Sequence, residues 1–271
     1  MTFSIIGFDP LKNRFGVAVS SCHIAVGSTV SFVRSQVGAV ATQGQTNPYL
    51  GLRSLESLQS CSDSKIVLED LIKEDLNFEG ELKKLKKLVS NKKDTNNQLV
   101  FYGSSTIRLW ERLSSDFSNF NTINLGFGGA LIQDLNKNFN DLFESLNPKY
   151  IVTYLGGNDL TLNYSAEKIS QKIIEFFKKI TERFPNTSII NLSIKPSFER
   201  IKDIEKIKKI NSLIKTESKT NNKLIQLEFH NELMKENKIN SDFYLQDGLH
   251  LNTKGYEIII KKLKELLKNL D

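Results

Sequence analysis

Four short segments of the chain hold residue types that acyl transfer needs. Tyr102-Gly103-Ser104-Ser105-Thr106 follows an apolar run, Leu99-Val100-Phe101-Tyr102, that reads as a strand. A serine on a tight strand-to-helix turn presents an exposed hydroxyl, and its own N–H can face a developing oxyanion. In Asn124-Leu125-Gly126-Phe127-Gly128-Gly129, glycine lets a backbone N–H approach a substrate closely. Leu155-Gly156-Gly157-Asn158-Asp159 offers a side-chain amide donor after another strand. Asp247-Gly248-Leu249-His250 sets a carboxylate and an imidazole close together before the last helix. Any one of these is as readily a plain turn. Together they supply a nucleophile, a base, a group to orient the base, and oxyanion donors. Asp159 and Asp242 are rival carboxylates, but neither has Asp247's spacing to the histidine.

The elements around these segments form a consistent pattern. Strands are predicted at Leu99–Tyr102, Thr122–Leu125, Tyr150–Leu155, Ser188–Leu192 and Lys223–Leu227. Between them run helical stripes. One is Ile169, Ile173, Phe176, Phe177 and Ile180, with Ser165 as its cap and Pro185 past its end. Another is Ile201, Ile204, Ile207, Ile210, Leu213 and Ile214; the last is Ile259, Ile260, Leu263, Leu266 and Leu267. Strands alternating with helices imply a parallel sheet covered on both faces. In such sheets the chemistry collects beyond the C-terminal strand ends.

The first part of the chain differs. Residues 1 to about 50 read as strands: Phe3–Phe8 alternates, Asp9-Pro10-Leu11-Lys12-Asn13 supplies a turn, Phe15–Val19 resumes, and Val37–Thr42 looks like a buried strand. Leu52, Leu55 and Leu58 begin one helical face, and Ile66, Leu68, Leu71 and Ile72 a second. A lysine-rich helix follows from residue 80, then the polar cluster Ser90–Asn97, a loop or linker by composition. The reading divides the chain into residues 1–77 and 78–271.

Composition narrows the function classes. The net charge of +6 invites a nucleic-acid reading, but the lysines lie at helical spacing among acids, as on solvated faces, so no nucleic-acid partner is expected. No apolar run reaches the roughly 20 residues of a membrane span, and the first residues lack a basic, signal-like start; a cytoplasmic protein without a membrane partner is expected. Two cysteines, Cys22 and Cys61, make neither a disulfide framework nor a metal motif. His230 reads as structural, Arg108 and Trp110 as helix packing, Tyr154 as core.

With these segments in view, residues from about 80 to 271 resemble the SGNH/GDSL-type serine esterase/lipase family, whose four blocks match Gly103-Ser104-Ser105, Asn124–Gly129, Gly156-Gly157-Asn158-Asp159 and Asp247-Gly248-Leu249-His250 in order. Ser193-Ile194-Lys195-Pro196-Ser197 resembles a segment of one bacterial branch. Where many members carry aspartate before the nucleophile, this chain has Ser104. The resemblance implies a three-layer α/β/α flavodoxin-like domain and hydrolysis of a small-molecule carboxylic ester without metal or organic cofactor. It makes Ser105 the nucleophile, His250 the base and Asp247 its orienting partner, with the N–H groups of Ser105 and Gly129 and the amide of Asn158 as the oxyanion hole.

Residues 2 to about 76 resemble something else. Thr2–Pro10, Gly16–Ser21, Ala25–Ser28 and Val37–Gln43 look like the start of an uncharacterised family related to N-terminal-nucleophile hydrolases, in which the residue exposed by Met1 removal, here Thr2, attacks with its own amine as base. The match covers part of that domain only, so this β-rich α+β fragment is expected as a fusion remnant that docks on the esterase or mediates self-association. Two other functions stay open: an amidohydrolase working through Thr2, and a non-catalytic binding or assembly protein built on a decayed hydrolase.

Overall fold

The structure, a computed structural model, describes residues 2–21, 26–42, 51, 54–55, 57–59, 63–69, 79–92, 96–162, 164–236 and 238–270. Cys22, Cys61, Leu52, Leu71, Ile72, residues 93–95 of the polar cluster and the boundary near residue 78 lie outside them. The chain splits into two compact units, Met1–Glu81 and Leu82–Asp271.

In the first unit β1 (Phe3–Asp9) and β2 (Arg14–Ser20) pair antiparallel, from Phe3 opposite Ser20 to Asp9 opposite Arg14. The turn is made by Asp9, whose carboxylate accepts the N–H groups of Leu11 and Lys12, the usual use of aspartate in turns. A helix, α1 (Val26–Val30), precedes a second hairpin of β3 (Ser31–Arg34) and β4 (Gly38–Ala41).

Three expectations change here. Val26–Val30 is a helix within a stretch read as strands; burial of Val30, rather than the weak helix propensity of glycine, valine and threonine, accounts for it. Gly38 is buried, but Ala39, Val40 and Ala41 are half-buried, because β4 pairs within a two-stranded sheet. In the helical residues 64–69 Val67 is buried while Ile66 and Leu68 are exposed. Three consecutive apolar residues cannot share one helix face, and packing selects the middle one. In β1 the residues Phe3, Ile5, Ile6 and Phe8 are all exposed.

The second unit carries the site. After α2 (Glu79–Ser90), which straddles the division, five parallel strands form one sheet: β5 (Gln98–Gly103), β6 (Asn121–Gly126), β7 (Pro148–Tyr154), β8 (Ser188–Leu192) and β9 (Leu224–Leu227). Their spatial order is β6-β5-β7-β8-β9, the flavodoxin-like arrangement whose direction of travel reverses at its first strand. The five expected strands match these within about two residues.

Alternation along β5 separates two cores. Leu99 and Phe101 join Trp110, Phe117, Tyr256, Ile259 and Leu263 on one face. Tyr102 points the other way, with ring contacts to Phe127, Phe139, Phe143 and Phe176. The helices are α3 (Ser105–Arg108), α4 (Leu113–Asp116), α5 (Ile132–Leu142), α6 (Ala166–Arg183), α7 (Ile204–Thr220) and α8 (Thr253–Leu270). Ser165 accepts the N–H of Lys168 as the cap of α6, and the five apolar residues of its stripe are buried. Ile207, Ile210 and Ile214 are buried in α7, but Ile201 is exposed. Residues Phe198–Asp203 form a 3-10 segment with Arg200 out of helical geometry, so Ile201 falls off the stripe. A short hairpin, β10 (Met234–Lys235) with β11 (Lys238–Ile239), completes the unit. Among the described residues no helix is long and apolar enough to cross a membrane.

Candidate active site

The C-terminal ends of β5, β6 and β7 bring three of the four segments together at the reversal in strand order. β5 runs into α3 through Ser104, so that Ser105 is the first residue of the helix. This junction has no room for side chains: a Cβ on Gly103 would lie 2.5 Å from the carbonyl oxygen of Tyr154, and one on Gly126 would lie 2.3 Å from the amide nitrogen of Arg108. Glycine is required at both places because backbone meets backbone. Asn124 fastens the junction. Its Nδ2 donates to the carbonyl of Ile107 (2.8 Å), and its Oδ1 accepts the N–H of Gly126 (2.9 Å). The Tyr256 hydroxyl of α8 donates to the Thr106 carbonyl from the other side.

The fourth segment is folded by its own aspartate. Asp247 Oδ1 accepts the N–H groups of Leu249 and His250, each at 2.9 Å. Gly248 takes a φ of 65°, the left-handed region that favours glycine. This turn lays the imidazole back on its own carboxylate, with His250 Nδ1 2.6 Å from Asp247 Oδ2. The opposite ring nitrogen, Nε2, stands 3.0 Å from Ser105 Oγ. Asn252 then accepts the N–H of Gly255 and starts α8. Burial pushes the Asp247 carboxyl up, but the hydrogen bond and charge of His250 and the two backbone N–H groups outweigh it and hold it below its ordinary value. The carboxylate is therefore ionised, and Nδ1 donates to it. That tautomer leaves Nε2 as an acceptor for the Ser105 hydroxyl.

Ser105, Asp247 and His250 are thus joined in one chain of hydrogen bonds. Asn158 lines the same recess as Ser105, and its Nδ2 donates to the carbonyl of Ala130 at 3.0 Å. One amide hydrogen fixes its orientation, and among the described residues the second has no acceptor. Gly129 has a φ of 67° in the turn just before Ala130 and is not among the residues lining the recess.

The rival carboxylates sit elsewhere. Asp159 is buried and accepts the N–H of Ile132 at the start of α5; burial pushes it up to about 6. Asp242 is exposed and offers its backbone carbonyl to Asn252. Thr2, in the first unit, has its hydroxyl 2.9 Å from that of Ser21. Burial holds the half-buried His230 below its ordinary value. Tyr154 is core, as is Trp110, yet Tyr154 also lines the recess. Among the described residues no group of His, Cys, Asp or Glu could hold a metal ion.

The sequence reading missed the clamp made by Asn124 and the place of Lys195, Ser197 and Arg200 on the recess wall. A signal for the latter existed: Ser193–Ser197 directly follows β8, and segments beyond strand C-termini line such sites.

Comparison with known proteins agrees with this fold. The model of the GDSL-like Lipase/Acylhydrolase family matches residues 97–258, and that of the Family of unknown function (DUF1028) matches residues 2–147. The shared residues, 97–147, build β5 through α5. A search of curated proteins gave no match. Solved structures share the fold of the second unit. One from Streptococcus pneumonia, named for platelet activating factor, superimposes with a TM-score of 0.64 at 21% identity, over 75% of this chain and 97% of its own. An acylhydrolase by name from Bacteroides fragilis gives 0.61 at 22% identity, over 70% and 96%. A GDSL-like lipase by name from Bacteroides thetaiotaomicron gives 0.59 at 20% identity, over 70% and 98%. The family match spans more than half of the chain, over the strands and loops that carry Ser105, Asn158 and His250, and the chain belongs to the GDSL-like Lipase/Acylhydrolase family.

Proposed function

We propose that the protein hydrolyses carboxylic esters through an acyl-enzyme on Ser105. The observation that carries this reading is the pair of distances from His250, 3.0 Å to Ser105 Oγ and 2.6 Å to Asp247 Oδ2. Ser105 Oγ attacks the acyl carbon while its proton passes to His250 Nε2. The carbonyl oxygen gains the negative charge and is held by the N–H groups of Ser105 and Gly129 and the amide of Asn158. The C–O bond to the alcohol then breaks, and the alcohol leaves with the proton from His250. Water, deprotonated in turn by His250, attacks the acyl-enzyme; the carboxylic acid departs and Ser105 regains its proton. Asp247 keeps the imidazole in the working tautomer and stabilises its charged form.

Two features support the oxyanion assignment of Ser105 and Asn158. Ser105 opens a helix, where N–H groups have no intrahelical acceptor, and Asn158 has a fixed amide with one hydrogen to spare. The donors act where charge develops, so they speed the reaction more than they tighten substrate binding.

The test is labelling of purified protein by a fluorophosphonate, beside Ser105→Ala and His250→Ala. Stoichiometric labelling of the parent, lost in Ser105→Ala, is expected. Labelling that persists in Ser105→Ala removes Ser105 as nucleophile.

A further inference from the structure

The recess beside Ser105 contains groups that ester cleavage does not use. Lys195, Ser197 and Arg200 line it together with Ser105, Asn158 and Tyr154, and none of the described residues lining it is acidic. Lys195 is only 5% exposed, yet no carboxylate pairs with it among the described residues; its Nζ lies 5.7 Å from the centre of the Tyr154 ring. Ser197 Oγ and Arg200 Nε are shielded from solvent and have no hydrogen-bond partner among the described residues. Burial of unmatched donors, one of them on a cationic side chain, lowers stability unless an acceptor arrives.

The backbone bearing these groups is held on both sides. Asn211 of α7 grips Ile194 twice, accepting its N–H at 2.8 Å and donating to its carbonyl at 2.9 Å. The Tyr244 hydroxyl donates to the carbonyl of Pro196. Phe198 N–H donates to the carbonyl of Gly248, inside the turn that carries His250. The segment is therefore fixed relative to the imidazole, as a binding wall must be if it is to position a substrate.

We propose that this wall binds an anionic group, a carboxylate or phosphate, carried by the ester itself, so that the preferred substrates are negatively charged esters. This rests on the esterase reading of Ser105. Lys195 supplies a point charge, Arg200 a directional donor and Ser197 a neutral one, a set that matches an oxyanion group and leaves a neutral acyl chain or alcohol with unmatched polar walls. The rival role for Lys195 is direct stabilisation of the reaction's oxyanion, which would speed charged and neutral esters alike.

The experiment compares matched esters: mono(4-nitrophenyl) succinate with 4-nitrophenyl butyrate, and 4-acetoxybenzoate with phenyl acetate, in the parent, Lys195→Met and Arg200→Met. In at least one pair, the charged-to-neutral ratio of kcat/KM is expected to fall by about 10- to 100-fold in each variant, the worth of one charge-assisted hydrogen bond. An equal loss on both members of each pair overturns the proposal and favours the oxyanion role. In parallel, inorganic phosphate and succinate are titrated while the melting temperature is followed. A rise in the parent that is lost in both variants is expected, and the anion producing it separates phosphate from carboxylate recognition. Where any ester is turned over, the kcat/KM ratio decides. Where none is turned over and fluorophosphonate does not label, the esterase reading falls and the anion titration decides: a rise dependent on Lys195 and Arg200 keeps the anion site, and its absence removes it.

Discussion

Asp159 allows a quantitative test of the second unit. Its residue is 2% exposed, and its carboxylate accepts the backbone N–H of Ile132. Burial raises its pKa to about 6, partly offset by the N–H groups of Ile132 and of Asp159 itself and by Lys172. In the unfolded chain an aspartate titrates near 3.9. Between these values the folded form holds the proton that the unfolded form has released, so stability declines as pH rises through the window and levels off above about 6. A shift of about two units is worth about 3 kcal/mol in full. The part falling between pH 4.5 and pH 7.5 is about 2 kcal/mol by the same linkage. Asp159→Asn is neutral throughout and keeps an acceptor for Ile132. Urea unfolding is followed through Trp110, the only tryptophan, buried in the second unit. Relative to the variant, the parent is expected to lose about 2 kcal/mol on going from pH 4.5 to pH 7.5, and background titrations cancel in the difference. A parent-to-variant gap that is the same at both pH values refutes the burial argument.

Three further substitutions test the site. Asp247→Asn retains acceptors for the Leu249 and His250 N–H groups but turns an amide toward Nδ1, which selects the wrong tautomer; kcat is expected to fall about 10⁴-fold in a steady-state ester assay. Asn158→Ala removes a proposed oxyanion donor and should lower kcat about 100- to 1000-fold with little change in KM. Asn124→Ala leaves the Ile107 carbonyl and the Gly126 N–H unmatched, and urea unfolding is expected to show a loss of about 2–3 kcal/mol.

The sequence by itself fixes the strands of the large sheet and much of the site. β5 to β9 are apolar runs bounded by polar turns, and α6 announces itself through Ser165, five apolar residues at helical spacing and Pro185. These signals are local, and so they are legible. The same holds for Asp247 and His250: the turn that joins them closes through the carboxylate of Asp247 on the N–H groups two and three residues ahead, an interaction that lies wholly within the motif. Where local signals compete, sequence reasoning fails. Val26–Val30 carries strand-forming residues yet is helical, and in Ile66-Val67-Leu68 nothing nearby says which residue is buried, because the partner surface decides.

The tertiary structure alone decided what meets across the chain. Ser105 and His250 are 145 residues apart, and their 3.0 Å contact exists because the parallel order of the strands delivers the loop after β5 to the same edge as the start of α8. Asn124 becomes a clamp only because β6 lies next to α3. Lys195 and Arg200 look in the sequence like members of a basic, solvated surface. Only folding, by burying β8 between β7 and β9 and carrying the segment after it to the recess, removes them from the solvated majority and sets their charge beside Ser105.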